Sequence, residues 1–402
     1  MIQCFLFKNK CISITDTLNK CFGGIRMKIA ILGMGKIGSG VYELLNGNES
    51  IQVKRTLDLR VWMDNMTTDI NDIVSDGEIE AVVETMGGLE PARTYALKCL
   101  EAGKHYVTAN KHLVSECMSE LQAAADKNNA ALLFSASCGG GIPVLKCLAD
   151  QKKADKIVSF GGILNGTTNY MLDRIETDSM DYDSALSEAQ ALGYAEKDPT
   201  SDVDGLDAQR KLVLALAVGF GCQVKPEMIP TRGIRGISLN DIAYFKANDL
   251  SPRLIAEARK TENGAAASVC VHLFKKNAPE TAIRKNINYA SYEGEKTGLF
   301  SFSGQGAGKY PTAGNVIGDL VRILAGEKHM LPKELSPLDK IASSEHIYYA
   351  RVPEDKKDIV SYLIKTSKTE NGFVSFETVP VDDAEFFEIM KNTGESFFAR
   401  LD

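Results

Sequence analysis

A short apolar strand followed by three spaced glycines constrains the fold of this chain more than any other feature of its sequence. The segment Met27 to Leu32 is mostly apolar, and glycines follow at positions 33, 35 and 38 in the spacing G-x-G-x-x-G, directly before a helix pattern. Such a turn lets a pyrophosphate approach the backbone where a helix N-terminus attracts negative charge. We therefore predict that a dinucleotide binds at Gly33, Met34, Gly35, Lys36, Ile37 and Gly38. A plain strand–helix turn is the alternative.

An acidic residue at the end of the next predicted strand indicates which dinucleotide is bound. This strand runs from Ile51 to Leu57, and Asp58 follows it. A carboxylate at that position accepts hydrogen bonds from the adenosine ribose hydroxyls, which favours NAD. Arg55 and Arg60 offer the positive charge that a 2′-phosphate needs, so NADP stays open. For Asp58 itself, a simple turn residue is the alternative.

Alternating strand and helix patterns continue from there and predict a doubly wound parallel sheet. The predicted strands lie at 80–85, 105–109 and 130–135, and the predicted helices at 91–102 and 114–127. Ligands of such sheets lie beyond the carboxyl ends of the strands. Thr85 and Lys111 stand at two of these ends, and we predict that both contact the ligand. A solvated loop lysine is the alternative for Lys111.

The stretch from Gly193 to Lys211 concentrates charge directly before a long apolar run. It contains one glutamate, four aspartates and three basic side chains. A helix is predicted from about Asp204, with Asp204 as its N-cap. Asp207 and Lys211 are four residues apart and therefore share a helix face. We predict that a loop carboxylate meets this lysine across a small polar ligand. The alternative is a surface ion pair worth about 0.3–0.5 kcal/mol.

Residues in and just before this stretch resemble the signature of the homoserine dehydrogenase family. The matching residues are Ala189, Gly193, Asp198, Pro199, Asp202, Gly205, Asp207 and Lys211. The resemblance extends from residue 27 to about residue 325. It implies a reversible, NAD(P)-dependent reduction of L-aspartate 4-semialdehyde to L-homoserine, a step in threonine, methionine and isoleucine biosynthesis.

The resemblance also implies roles for individual side chains. Lys211 is the expected proton donor to the developing alkoxide, and Asp207 is expected to orient it. Lys111 is expected to supply a second positive charge near the reacting oxygen. Glu196 is expected to bind the α-ammonium group of the substrate, with help from Asp202.

Two further turns are implied to contact ligands. In the polar turn 165–170, Thr168 is expected beside the substrate, and a plain helix-capping motif is the alternative. The glycine-rich turn 304–314 is expected to return the chain to the cofactor domain, with Gly306 at the cofactor. A flexible linker is the alternative for that turn.

A third turn, residues 134–143, is implied to hold a sodium ion through the main-chain carbonyls of Cys138, Gly140 and Ile142. Hard cations prefer such oxygen ligands. The family usually has a glutamate where this chain has Ser135, so a charged ligand is missing. We expect carbonyl oxygens alone to hold sodium weakly.

Two rival functions use the same cofactor motif. Cys138 stands before a glycine turn and a helix start, where a thiol pKa can fall, so an acylating semialdehyde dehydrogenase with Cys138 as nucleophile is one rival. A dinucleotide-sensing binding protein is the other. That second rival explains the glycine turn but not the lysine and carboxylates between Glu196 and Lys211.

Composition narrows the remaining classes. A net charge of −7 argues against nucleic-acid binding, and no apolar run reaches the roughly 18 residues of a membrane span. Nine scattered cysteines without a C-x-x-C pair indicate reduced thiols and a cytoplasmic location. We expect a homodimer or homotetramer that acts on a small molecule and binds neither nucleic acid nor membrane.

Four segments are predicted along the chain. Residues 1–26 are expected to be an extension with little fixed structure. Residues 27–155 are expected to form the dinucleotide-binding domain, completed by residues 305–330. Residues 156–304 are expected to form a catalytic and dimerisation domain, with strands at 268–274, 282–289 and 298–303.

The C-terminal segment, residues 340–402, is expected to be a small ACT-like module. Its pattern predicts strand, helix, strand, helix and strand, with the first helix at 357–366. An amino-acid effector for this module is a hypothesis. The predicted fold class is therefore α/β: a Rossmann-like doubly wound parallel sheet, an α+β catalytic domain and an α+β ACT-like module.

Overall fold

The computed structural model describes residues 26–262 and 264–402, which form two compact units. The first unit comprises residues 26–113, 117–136 and 308–329, and the second comprises residues 114–116, 137–307 and 330–402. The predicted extension 1–26 lies outside the described residues except for Arg26. The predicted domain boundaries stay a prediction.

Eighteen strands lie within the described residues. In chain order they are β1 (Met27–Leu32), β2 (Ile51–Leu57), β3 (Met66–Thr67), β4 (Ala81–Glu84), β5 (His105–Thr108), β6 (Leu132–Leu133), β7 (Ile157–Ile163), β8 (Cys222–Gln223), β9 (Leu250–Thr261), β10 (Gly264–Lys275), β11 (Ile287–Gly294), β12 (Gly298–Gln305), β13 (Ser336–Pro337), β14 (Glu345–Pro353), β15 (Ile364–Glu370), β16 (Phe373–Thr378), β17 (Val381–Asp382) and β18 (Phe397–Leu401).

Thirteen α-helices also lie within the described residues. In chain order they are α1 (Lys36–Leu44), α2 (Asn71–Val74), α3 (Ala92–Glu101), α4 (Lys111–Lys127), α5 (Val144–Ala154), α6 (Gly166–Asp178), α7 (Tyr182–Ala191), α8 (Thr200–Val203), α9 (Leu206–Ala215), α10 (Leu239–Ala247), α11 (Lys309–Leu324), α12 (Lys357–Val360) and α13 (Asp383–Lys391). A π-helical turn, Leu216–Phe220, continues α9. No α-helix of the described residues is long and apolar enough to cross a membrane.

A six-stranded parallel sheet forms the first unit, in the order β3-β2-β1-β4-β5-β6. The predicted Rossmann-like sheet is therefore confirmed. Apolar strands such as Ala81–Glu84 are buried on both faces, as expected where helices cover both sides of a parallel sheet. The strand order reverses between β1 and β4, and ligands of such sheets bind at the carboxyl ends beside that reversal.

A ten-stranded sheet forms the larger part of the second unit, in the order β12-β11-β7-β9-β10-β18-β14-β16-β15, with β17 paired to β14. Its longest pairing is the antiparallel hairpin of β9 and β10. The sequence predicted β10 but neither β9 nor α10. The predicted strand 282–289 is wrong in its first half, because Lys285 has a φ of +56° and β11 begins only at Ile287.

The C-terminal segment is a β-α-β-β-α-β arrangement with the strand order β18-β14-β16-β15. The predicted helix 357–366 is too long, because α12 ends at Val360 and strand β15 begins at Ile364. Strand β18 pairs in parallel with β10 at His272 and Leu273. The sheet of this C-terminal segment is therefore continuous with the sheet that contains β7, β9 and β10.

Candidate active site

The glycine turn after β1 has the geometry that the spacing predicted. Gly33 has a φ of +87°, and its carbonyl oxygen accepts a hydrogen bond of 2.7 Å from the Thr85 hydroxyl. A Cβ atom on Gly38 would lie 1.9 Å from the same carbonyl oxygen, so only glycine fits there. Gly35 precedes α1 without any side-chain cap. The first N–H groups of α1 are thus suited to an anion such as a pyrophosphate.

Asp58 lies beside this turn, directly after β2. Its Oδ2 atom accepts a hydrogen bond of 2.7 Å from the Met34 N–H, and its Oδ1 atom accepts one of 2.7 Å from the Leu59 N–H. The carboxylate is thus fixed at the end of the strand by two backbone donors. Each oxygen keeps acceptor capacity for a ribose hydroxyl.

Lys111 is the first residue of α4, which begins three residues earlier than the predicted start at 114. Asn110 caps the helix, and its Oδ1 atom accepts a hydrogen bond of 3.1 Å from the Leu113 N–H. Asparagine is a preferred N-cap residue, and this cap is the signal that the apolar pattern alone missed. Lys111 is half-buried at the carboxyl end of β5.

A buried lysine on α9 is the centre of a polar cluster in the second unit. Lys211, which is only 8% exposed, donates from Nζ to Asp207 Oδ2 at 2.6 Å and to the Leu164 carbonyl at 2.5 Å. The predicted pairing of Asp207 with Lys211 is present. The alternative of a solvated surface pair is wrong, because both side chains are buried.

Asn165 connects this pair to a second carboxylate. Its Nδ2 atom donates to Asp207 Oδ2 at 2.9 Å and to Asp202 Oδ1 at 2.7 Å. Its Oδ1 atom accepts from the Thr168 N–H at 2.8 Å and thereby caps α6. Burial raises the pKa of Asp202, and the nearby charge of Asp207 raises it further. The sequence predicted Thr168 but missed Asn165 as the bridging residue.

The predicted N-cap of α9, Asp204, is wrong. Gly205 takes that position with a φ of +83°, and the Asp204 carboxylate pairs with the Arg235 guanidinium instead. Nearby, a Cβ atom on Gly233 would lie 1.8 Å from the Val203 carbonyl oxygen, so this backbone packs closely against the end of α8. The short helix α8 was also unpredicted.

Comparisons with known proteins agree with this geometry. Sequence models described as homoserine dehydrogenase and as its NAD-binding domain match residues 143–321 and 33–135. A homoserine dehydrogenase from Synechocystis is 38% identical over 81% of this chain and 79% of that protein. One from Pseudomonas aeruginosa is 31% identical over 89% of each chain.

This chain belongs to the homoserine dehydrogenase family. It is accordingly an NAD(P)-dependent oxidoreductase of amino-acid biosynthesis. The solved homoserine dehydrogenase of Thiobacillus denitrificans superposes with a TM-score of 0.82 at 29% identity, covering 94% of this chain and 98% of that one. A hyperthermophilic archaeal homoserine dehydrogenase mutant solved with NADPH shares the fold at 22% identity, with a TM-score of 0.65, over 75% of this chain and 99% of that one.

Homoserine dehydrogenase family membership does not favour either rival function. The Cys138 thiol is completely buried, whereas an attacking thiolate must reach its substrate. A binding protein without catalysis would not need the buried lysine cluster. Within the described residues no group of three or more histidine, cysteine, aspartate or glutamate side chains could hold a metal ion.

The structure does not bring the Glu196 carboxylate to Lys211 through any contact among the described residues. Glu196 is exposed in the loop after α7, where its carbonyl oxygen accepts a hydrogen bond of 3.0 Å from Gln190 Nε2. Gly306 packs tightly against Asn288, because a Cβ atom on Gly306 would lie 2.0 Å from the Asn288 side chain. The ligand contacts predicted for Glu196 and Gly306 stay predictions.

Proposed function

We propose that this chain catalyses the reversible reduction of L-aspartate 4-semialdehyde to L-homoserine and that Lys211 is its proton donor. One observation supports the residue assignment above all others: a buried lysine ammonium is held by one carboxylate and one carbonyl. A lysine ammonium has three N–H groups. Two of the three N–H groups of Lys211 have acceptors within the described residues. The third can donate to a substrate oxygen.

The chemistry needs one positive group at the reacting oxygen. NAD(P)H, when bound, supplies the hydride that reduces the aldehyde carbon, and negative charge then develops on the aldehyde oxygen. Lys211 stabilises that charge and transfers a proton from Nζ to the oxygen, and it accepts the proton in the reverse direction. Asp207 orients the ammonium, and Lys111 adds a second positive charge.

Substrate recognition in this proposal depends on the carboxylates near Lys211. The α-ammonium group of homoserine needs acceptors with negative charge, and Asp202 and Glu196 supply them. Asp202 is held by Asn165 at 2.7 Å, and the same asparagine fixes Thr168 at the start of α6. Thr168 is completely buried and its hydroxyl donates to Asn165, so its contact with the substrate stays a prediction.

Replacing Glu196 with alanine is expected to raise the KM for homoserine about tenfold and to change kcat less than about threefold. A charge that acts only in binding stabilises the ground state and the transition state equally. Its removal therefore raises KM and leaves kcat nearly unchanged. Steady-state kinetics at saturating cofactor measures both constants. Lys197→Ala, a change at the neighbouring exposed residue, is the matched control. A large fall in kcat with unchanged KM would contradict the binding role of Glu196.

For the cofactor we propose that NAD is preferred to NADP. The Asp58 carboxylate is held beside the glycine turn by two backbone N–H groups, and its negative charge opposes a 2′-phosphate. Initial rates of homoserine oxidation with NAD⁺ and with NADP⁺, followed at 340 nm, test the activity and the preference together. The absence of oxidation with either cofactor would refute the proposed function. A higher kcat/KM with NADP⁺ would refute only the preference.

Any sodium held at the turn 138–142 is bound weakly in this proposal. The Ile142 carbonyl already accepts a hydrogen bond of 2.9 Å from the Val144 N–H. Ser135, at the position of the family's glutamate, donates its hydroxyl to Asp319 at 2.6 Å. This donor set does not fit a tight cation site, and no catalytic step is assigned to a metal.

Replacing sodium chloride with tetramethylammonium chloride at equal ionic strength is therefore expected to change kcat/KM less than about twofold, because the ligands are neutral carbonyls. Homoserine oxidation in the two salts measures the effect. A potassium chloride series controls for non-specific salt effects. A tenfold loss that sodium alone restores would contradict weak binding.

We also propose a homodimer or homotetramer in the cytoplasm. Strand β12 lies at the edge of the ten-stranded sheet, and Leu299 on it is 65% exposed, which favours contact with a second copy. The six cysteines of the described residues that are free thiols fit a reducing compartment. Light scattering after size-exclusion chromatography measures the assembly.

A further inference from the structure

A buried carboxylate at the end of β4 has no part in the proposed chemistry. Glu84 is completely buried. Its Oε1 atom accepts hydrogen bonds from the Met86 N–H at 2.7 Å and from the Gly87 N–H at 3.1 Å. Its Oε2 atom accepts the Thr108 hydroxyl at 2.6 Å. A carboxylate is costly to bury, so these donors must be maintained together.

The hydrogen bonds continue from Thr108 to the start of α4. The Thr108 hydroxyl oxygen accepts the Asn110 N–H at 2.9 Å, and Asn110 Nδ2 donates to the Gly88 carbonyl at 2.7 Å. Asn110 is also the N-cap of the helix that begins with Lys111. Glu84 thereby fixes the loop 85–88. Through Thr108 and Asn110 it also fixes the start of α4, where Lys111 lies.

The loop that Glu84 holds also lies close to the glycine turn, at Met86. An ideal Cβ atom on Gly33 would lie 2.9 Å from Met86 Cγ and 3.0 Å from the Met86 nitrogen, the atom that donates to Glu84. The adjacent Thr85 hydroxyl donates to the Gly33 carbonyl. The 85–88 loop therefore borders the glycine turn on the side of β4 and β5, opposite to β2 and Asp58.

The sheet order indicates which half of the dinucleotide lies near the loop 85–88 and the start of α4. Strand β2, which carries Asp58, lies on one side of β1, while β4 and β5 lie on the other. A dinucleotide with its pyrophosphate at the glycine turn and its adenosine ribose at Asp58 extends its nicotinamide half over the ends of β4 and β5. We propose that Glu84 is a positioning residue for the nicotinamide half of the cofactor. This inference rests on the cofactor position assumed in the proposed function.

Glu84→Gln is the most direct test, because glutamine keeps the shape but replaces one acceptor oxygen with an NH₂ donor. That donor would face the Thr108 hydroxyl, which also donates to Glu84. We expect the Kd for NADH to rise about tenfold, the scale of one lost hydrogen bond to a charged group. We expect the Kd for ADP-ribose, which lacks nicotinamide, to change less than about twofold, because its adenosine and pyrophosphate are bound at Asp58 and the glycine turn rather than over the ends of β4 and β5. Titration calorimetry at a temperature well below unfolding measures both.

Three further variants make the test specific. Thr108→Val removes the hydroxyl that donates to Glu84. It should raise the Kd for NADH and leave the Kd for ADP-ribose nearly unchanged, as in Glu84→Gln. Thr108→Ser keeps a hydroxyl and should bind NADH as tightly as the unmodified protein. Glu78→Gln, at an exposed glutamate paired with Lys28 and Lys54, is the matched control and should leave both affinities unchanged. Should Glu84→Gln fail to fold, the two threonine variants decide the question.

Each outcome has a defined meaning. Equal weakening of NADH and ADP-ribose would show that Glu84 only supports the fold, and unchanged NADH affinity in Glu84→Gln or Thr108→Val would also overturn the inference. If the unmodified protein binds neither NADH nor NADPH, the cofactor assignment fails instead. If it binds cofactor but does not oxidise homoserine, the proposed function fails while the role of Glu84 can still be measured.

Discussion

Replacing Lys211 with alanine is expected to lower kcat for homoserine oxidation by about 100-fold or more, the usual contribution of a general acid–base group. The ammonium is held at 2.6 Å from Asp207 and at 2.5 Å from the Leu164 carbonyl, so it has a fixed direction. Without it, the substrate oxygen loses its proton donor and the nearer of the two proposed positive charges. Steady-state rates in both directions measure the loss.

The controls for Lys211 must separate chemistry from stability. Removing one partner of a buried ion pair costs about 3–5 kcal/mol, so Lys211→Ala is also expected to unfold at a lower temperature. Lys211→Arg keeps the positive charge, but its guanidinium does not lose a proton in proteins. This variant should retain stability and still turn over slowly. Arg210→Ala, at the adjacent position, should keep kcat within about twofold because Arg210 is outside the buried cluster. Near-normal turnover by Lys211→Ala would remove the proton-donor assignment.

Two glycine substitutions are expected to weaken cofactor binding for different reasons. A Cβ atom on Gly38 would lie 1.9 Å from the Gly33 carbonyl oxygen and 2.8 Å from the Thr85 hydroxyl, so Gly38→Ala must distort the turn. We expect its Kd for NADH to rise by about 100-fold or more and its melting temperature to fall, because the clash exists without ligand. Gly35 has no atom within 4 Å of an added Cβ. Gly35→Ala should therefore keep its melting temperature and lose only affinity.

The test compares the melting temperature and the Kd for NADH of the two glycine variants. Thermal unfolding without cofactor and titration with NADH give the two quantities for each protein. A fall in both quantities for Gly35→Ala would mean that its backbone has a structural role of its own. Unchanged NADH affinity in Gly35→Ala would place the pyrophosphate elsewhere than at this turn.

Much of the first unit could be predicted because its strands carry a local signal. Strand β2 has the predicted bounds Ile51–Leu57, and the predicted turn follows β1 at Gly33, which has a φ of +87°. Strand β1 is an apolar run that ends at a glycine, and β2 alternates apolar and polar residues from Ile51 to Lys54; both patterns are local signals of a strand. The pairing of Asp207 with Lys211 was also predictable, since four residues on a helix fix the face that two side chains share.

The missed features depend on contacts between distant parts of the chain. Strand β15 is polar and exposed along most of its length, so only its pairing with β16 defines it as a strand. Asn165 reaches Asp202 and Asp207 across 37 and 42 residues, and no local pattern encodes that contact. The N-cap of α9 was assigned to Asp204, whose carboxylate pairs with Arg235 instead.

The position of β18 has a consequence for how the protein is made. This strand lies between β10 and β14, and it is the last of the described strands to be synthesised. Until the ribosome has added it, β10 and β14 each lack a neighbour and expose unpaired backbone groups, which are prone to pair with other chains. A nascent chain can therefore complete the strands of the parallel sheet early, whereas the larger sheet stays incomplete until β18 has been synthesised.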